Sequence, residues 1–393
     1  MNTRLFVSML PARFSLCAFL AASLLLGANY SAGANSESLT SLDAAFYRVQ
    51  SFDTKAGARP LAINHLGIET EQAADGGYLI TAALEGYPAH AAGLERGDIV
   101  LRIDGADFHP LLSLNPHAGQ SQFRPRSTPA ELTYKRGETV LTARVEPVFE
   151  SLYDSYRSAT LNSVLSFAAG NKVIGYVRLW ALTRETGDLV TLGQLLQSLH
   201  DTDGIVLDLR NSYGYLASEH IDLFRASRSD FLSVSVVGNP HSHEIDSEQK
   251  RLLPVRQRDD SLRAYRKPIA ILIDSSTRGA AELLAYQLAK LDRVTTVGEP
   301  TLGRLGSYQR GGGVETLVET LVENPGENLE KNLNKSLDGG VLDYSAADRV
   351  LIDGNVFESI GVKPKRSAPF PFETVSRGDP QFQVAVNVLM GVI

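Results

Sequence analysis

Leu272–Ala285 reads LIDSSTRGAAELLA. It begins inside Lys267–Asp274 (KPIAILID), an apolar run of strand length. The turn that follows holds Ser275, Ser276, Thr277 and Gly279. Hydroxyl side chains bond their own backbone in such turns, and glycine bends where other residues cannot. Glu282–Leu291 then sits on a helix, with Glu282 near the start, where the helix dipole favours a carboxylate. Strand, turn and helix form one unit, and similar units lie on either side. Val294–Gly298 is the next strand. Upstream, Lys172–Leu179 (KVIGYVRL) and Gly204–Leu209 are strands, the second ending in Asp208-Leu209-Arg210. Leu189–His200 is helical, with Leu189, Leu192, Leu195, Leu196 and Leu199 on one face, and a helix follows around Ala217–Phe224. Phe149–Phe167 reads as a helical connector, and Val314–Val322 suits a helix or a strand equally. Asn324–Asn334 reads as a solvated loop. This rhythm predicts an α/β domain over 148–393, with helices packed on a mostly parallel sheet.

A separate unit is expected over 64–147. Leu66-Gly67-Ile68 opens a strand of alternating polarity, Gly76-Gly77 turns the chain, and YLITAAL returns as a buried strand. Pro88 suits the first turn of a short helix and Gly93 its end. Arg96-Gly97-Asp98 turns into IVLRIDG, and ELTYK pairs with ETVLTARVEP around Arg136-Gly137. The insert Phe108–Ala130, with Pro110, Pro116, Pro125 and Pro129, is expected to be a mobile surface loop. His109 and His117 within it carry no assigned chemistry.

The first thirty-four residues hold Arg4 and Arg13 as their only charges, then the apolar run Phe14–Ala28 and the small residues Ala32-Gly33-Ala34. This is the three-part pattern of a cleaved secretory signal over 1–34, leaving an N-terminal segment over 35–63. The alternative is a retained inner-membrane anchor facing the periplasm. Cleavage removes Cys17, the single cysteine, so no disulfide supports the mature chain. Export without disulfides points to a bacterial periplasm. The mature chain keeps 36 basic against 45 acidic residues, a net charge of −9. That argues against nucleic acid as a partner and gives no electrostatic reason to seek anionic lipid. No further run is long and apolar enough for stable membrane insertion.

Two resemblances are carried by these residues. The ordered run Gly86-Tyr87-Pro88-Ala89, Ala92-Gly93-Leu94, Gly97-Asp98 and Ile103-Asp104-Gly105 resembles a bacterial PDZ domain. In such domains a peptide adds to a sheet edge and a tight loop captures its terminal carboxylate. The resemblance assigns that loop to His65, Leu66, Gly67 and Ile68, and the partner to protein or peptide C-termini. The second half resembles the carboxyl-terminal processing (tail-specific) serine peptidases, through LIDSSTRGAAELLA, IGYVRL, GIVLDLRNSYGY, RVTTVGEPTLGRLGSYQ, IGVKPK and the closing DPQFQVAVNVL. The implied fold is a crotonase-like (ClpP/crotonase) core preceded by a PDZ domain.

That family uses a serine nucleophile three residues before the glutamate, which is Gly279 here, and a neutral lysine as base. Counting from Gly298-Glu299-Pro300 puts Arg304 at the lysine position; counting back from Gly306 puts Leu305 there. A guanidinium stays protonated near neutral pH and cannot serve as base. Gln309 keeps the family's glutamine one residue late. The oxyanion-hole candidates are the N–H groups of Gly214 and Gly279, with Tyr215 crowding the first. Ser275, Ser276, Thr277 and Ser307 read as turn residues, and His220 as a packing or surface residue. His241-Ser242-His243-Glu244 reads as an exposed loop rather than a metal site, so neither metal nor cofactor is expected. The expectation is therefore a periplasmic protein that binds C-termini without cutting them. The alternatives are a serine endopeptidase with an atypical nucleophile and a plain scaffold.

Overall fold

A computed structural model describes residues 62–115, 124–182, 186–214, 218–224, 234–237, 249–250, 264–303, 349–352, 355–356, 360–372 and 378–393. The expected signal, Arg304, Gln309, Tyr215, Ser307, the His241–Glu244 loop and the 314–334 stretch lie outside the described residues.

The first half is built on strands β1 (Ala62–His65), β2 (Ile68–Gln72), β3 (Tyr78–Ala83), β4 (Ile99–Ile103), β5 (Ala106–Asp107), β6 (Ala130–Arg136), β7 (Thr139–Val145) and β8 (Val148–Ser151), with helix α1 (Pro88–Ala91). The main antiparallel sheet runs β2-β3-β4-β6-β7, with β5 on β4. β6 and β7 close over two residues, pairing Arg136 with Thr139, and Gly137 takes φ 56°. Leu66, Ile80, Val100, Ile103 and Leu132 fill the core beneath the sheet. The insert departs from the expected mobile loop. Phe108 and Leu114 join this core and Leu111 is buried too, so apolar residues at a spacing of three pin the described start of the insert. Asn115 fastens it: its side chain accepts from Asn64 N–H and donates to Asn64 C=O, each at 2.9 Å. Separately, β1 pairs with β8, so the start and end of the unit meet.

The second half comprises α2 (Leu152–Ser163), β9 (Leu165–Ala169), β10 (Lys172–Arg178), β11 (Ala181–Leu182), α3 (Thr186–Ser198), β12 (Gly204–Asp208), β13 (Tyr213–Gly214), α4 (Ser218–Asp222), β14 (Val234–Val237), β15 (Gln249–Lys250), β16 (Ile269–Ile273), α5 (Ala280–Leu288), β17 (Val294–Gly298), β18 (Arg349–Ile352), β19 (Asn355–Val356), β20 (Arg366–Ser367) and α6 (Pro380–Met390). One sheet runs β20-β17-β16-β12-β10-β9, parallel except for β9. Strand side chains alternate between faces. Accordingly Ile269, Ile271 and Ile273 pack with Ile205 and Leu207 against leucines of α3 and α5. Ala270, Leu272 and Val206 meet Ala385, Val386 and Leu389 of α6 on the other face. A sheet covered on both faces explains why β12 and β16 read as continuous apolar runs. Smaller sheets pair β11 with β13 and order β15-β14-β18-β19. Asp379 caps α6 by accepting from the Phe382 N–H at 3.0 Å, ahead of Pro380.

Candidate functional site

The C-terminal ends of β12, β16 and β17 bring three turns together, and their backbones are tied to one another. Arg278 N–H donates to Ser212 C=O at 3.2 Å, Leu302 N–H to Thr277 C=O at 3.3 Å, and Glu299 N–H to Ile273 C=O at 3.0 Å. The first turn carries Asn211 to Gly214, the second Asp274 to Gly279, the third Glu299 to Gly303.

Asp274 is the hub. Its side chain is 2 % exposed. Oδ1 accepts from the N–H groups of Ser276 and Thr277, both at 3.0 Å, and of Asn211 at 3.3 Å, so one carboxylate fixes two turns. Oδ2 accepts from Arg96 Nη2 at 3.1 Å. Arg96 comes from the first half and lies over the rings of Phe370 and Phe372 at 4.5 and 5.1 Å. Its Nη1 donates to Gln381 at 3.2 Å. Thr277, fully buried, donates through its hydroxyl to Leu209 C=O at 2.9 Å and accepts from Asp274 N–H at 3.0 Å. That hydroxyl is committed to the frame.

Gly279 ends the turn with φ 60° and ψ −125°, the N-cap of α5. Side chains avoid that half of the map, while glycine enters it freely. The residue brings no side chain to the turn. Its N–H is also engaged: it donates to Glu282 Oε2 at 3.2 Å, and Gly303 N–H donates to Oε1 of the same buried carboxylate. Glu282 is thus the helix-start residue expected, and in addition it clamps the second turn to the third. The oxyanion donor expected at Gly279 is satisfied internally. The Arg278 Nε beside it is buried without a hydrogen-bond partner among the described residues.

The first turn is held from below. Arg210 grips Asp208 through Nε at 3.0 Å and Nη2 at 2.6 Å, and reaches Asp379 at 2.6 Å. Burial alone raises the pKa of Asp208, but Arg210 and Arg178 outweigh it and hold the carboxyl below its ordinary value. Asn211 adopts φ 60°, which its short polar side chain tolerates. Its Nδ2 lies 3.4 Å from Thr81 Oγ1 of the first half. Glu85, also of the first half, accepts from the Trp180 indole at 2.5 Å and sits 3.8 Å from Arg178. Burial raises the Glu85 pKa against the opposing pull of Arg178. The first half therefore touches the turns at Thr81 and Arg96, and meets Arg178 and Trp180 through Glu85.

The loop assigned to peptide capture is placed differently residue by residue. Ile68 opens edge strand β2 just after Gly67, and an added Cβ on Gly67 would sit 2.4 Å from Tyr87 Cβ, so only glycine fits. Leu66 is buried in the core, and His65 is 7 % exposed, stacked on Tyr87. The Gly67 N–H donates to His65 Nδ1 at 3.1 Å, and His65 Nε2 lies 3.0 Å from Ser155 Oγ. Burial lowers the His65 pKa to about 4. His220 is buried on α4, as a packing residue is. Sequence reasoning passed over Asp274 and Arg96. Asp274 had a local signal, an Asp followed by Ser-Ser-Thr, which favours an Asx turn; Arg96 had none. Among the described residues no group of His, Cys, Asp and Glu is arranged to hold a metal, and no helix is long and apolar enough to cross a membrane.

Residues 173–367 match the profile of peptidase family S41. The carboxyl-terminal-processing protease of Synechocystis sp. is 25% identical over 316 residues, covering 79% of this chain and 65% of that protein. Its Picosynechococcus sp. namesake is 30% identical over 232 residues, covering 56% and 49%. The chain thus spans about half to two thirds of the length of these relatives. Among solved structures, a putative S41 protease from Bacteroides fragilis aligns with TM-score 0.45 and 15% identity, covering 85% of each chain. The photosystem II D1 C-terminal processing protease aligns with TM-score 0.38 and 17% identity, covering 81% and 76%. The matched region, residues 173–367, belongs to peptidase family S41, and the chain is a homologue of the carboxyl-terminal-processing proteases.

Proposed function

We propose that this protein is an exported, PDZ-containing member of its family that binds protein C-termini and does not cut them. The observation that carries the reading is Gly279: the backbone makes a sharp turn where the family's serine would stand, and the residue has no side chain. The neighbouring hydroxyl of Thr277 is spent on Leu209 and Asp274, which supports the same reading. Arg304 at the base position adds a group that cannot accept a proton near neutral pH. In this reading the core is crotonase-like, and β2, the outer strand of the first sheet, takes the peptide by edge addition. The signal over 1–34 directs the mature chain, beginning near Asn35, to the periplasm.

The test is covalent labelling of pure mature protein with a fluorophosphonate, read by intact mass, beside degradation of an unfolded substrate. The expected result is no adduct and no cleavage. An adduct on Ser275, Ser276 or Ser307 with matching loss of proteolysis on its substitution overturns the proposal and establishes an atypical nucleophile.

A further inference from the structure

A cavity of about 360 Å³ lies where β8 and α2 face β11, α3 and α4, and its lining includes none of the residues of the Gly279 turn. The volume is at the lower end of the roughly 300–1,000 Å³ of small-molecule pockets. Its chemistry is divided. Leu161, Leu192 and Leu195 give an apolar wall. The same lining holds one guanidinium, Arg157, and three carboxylates, Glu150, Asp154 and Asp188.

The charges are only partly spent on each other. Arg157 Nε pairs with Asp188 Oδ1 at 2.6 Å and Nη1 lies 3.7 Å from Asp154. Among the described residues nothing bonds its Nη2, and the side chain is 47% exposed. Glu150 Oε2 accepts from the Tyr87 hydroxyl at 2.7 Å and from Ser155 Oγ at 3.0 Å. Its Oε1 takes no bond among the described residues. One open guanidinium edge and one open carboxylate oxygen beside a leucine wall match a small zwitterion. A guanidinium fork suits a carboxylate, and a carboxylate suits an ammonium. The leucines take an apolar side chain, and the volume suits a molecule of dipeptide size.

We propose that this cavity binds a short zwitterionic peptide with apolar side chains, its carboxylate on Arg157 and its ammonium on Glu150. The site is independent of Gly279 and of the edge of β2. It needs both ends of the ligand, whereas an edge groove reads the C-terminus alone.

The test is calorimetric titration of the mature protein with Leu-Leu, N-acetyl-Leu-Leu and Leu-Leu-amide. Leu-Leu is expected to bind with a Kd of about 0.1–1 mM, and each blocked peptide about tenfold more weakly or worse. Arg157→Gln should bind Leu-Leu and its amide alike. Thr191→Phe, at a half-buried position on the cavity wall, should bind none while keeping its thermal midpoint within about 2 °C. No heat from Leu-Leu at about 10 mM overturns the proposal. So does equal binding of the acetylated and free peptides, or undiminished binding by Thr191→Phe.

Discussion

Replacing Arg96 by alanine tests whether the first half of the molecule holds the turns of the second. Arg96 and Asp274 lie 3.1 Å apart with side chains 15 % and 2 % exposed. Removing one partner of a buried pair costs about 3–5 kcal/mol, because a charge is left without its counterpart. Two features adjust that figure. Asp274 Oδ1 keeps its three backbone donors, which lowers the cost. The lost stacking on Phe370 and Phe372 adds roughly 0.5–1 kcal/mol for each ring. We expect a loss of about 3 kcal/mol for Arg96→Ala and about 1–2 kcal/mol for Asp274→Asn, which keeps a polar group of the same shape. The double variant should fall short of their sum by about 1–2 kcal/mol, the signature of a direct pair. Urea unfolding gives these energies, read by the fluorescence of Trp180, the single tryptophan, which lies against Glu85 across the same contact. A coupling below about 0.5 kcal/mol would refute the reasoning.

Other outcomes follow from single residues. Gly279→Ser should restore no proteolysis, since an unactivated hydroxyl is a weak nucleophile, and should lower stability by about 1–3 kcal/mol because serine must adopt φ 60°; turnover by this variant alone would show that a base survives. His65 titrates near 4 when folded against 6.5 when free, so the unfolded chain holds the extra proton between those values. Its contribution to stability is full above about pH 6.5 and is lost as pH falls toward 4, by about 2 kcal/mol at pH 5. His65→Gln should flatten that part of the curve, and identical pH 5 to pH 7 differences in urea midpoint for both proteins would count against it. Peptides with an apolar C-terminal residue should bind the first half with micromolar affinity. Amidation should weaken them, and fluorescence anisotropy showing equal affinity with and without the amide would exclude edge capture.

Strands whose two faces are both buried announce themselves, so Ile269–Ile273 and Gly204–Asp208 were plain in the sequence. The stretch Phe149–Phe167 was not. It reads as one helical connector, yet folds as the end of β8, helix α2 and strand β9. Ser151 caps the helix by accepting from Asp154 N–H at 3.2 Å, and Val164 ends it with φ −67° and ψ 120°. A local signal for β9 existed in Gly170-Asn171, the two residues between Ala169 and Lys172, where Gly170 takes φ 61°. The buried start of the insert is likewise marked by Phe108, Leu111 and Leu114, set among prolines that favour a loop. The glycine at 279 is legible from sequence alone, because a missing side chain is a local fact. The frame around it is not: Arg96 meets Asp274 across 178 residues, and Glu282 meets Gly303 through a fold that no periodicity encodes.

That frame separates shape from reactivity. The side chains that fix the Asp274–Gly279 turn are those of Asp274, Thr277 and Glu282, and Gly279 contributes only its backbone. Asp274 holds two turns, Thr277 ties β16 to Leu209, and Glu282 clamps Gly279 to Gly303. Glycine at 279 therefore leaves the side-chain bonds of the frame intact. It also removes strain, because a serine would have to be held at φ 60° by the surrounding bonds, at about 1–3 kcal/mol, whereas glycine adopts that angle without cost from a Cβ. The turn is thus expected to be more stable with glycine at 279 than with serine, the usual direction of a trade between stability and activity. A sharp, well-bonded turn is consequently no evidence of catalysis by itself; in the proposed reading the deciding group is the side chain at 279, which glycine lacks.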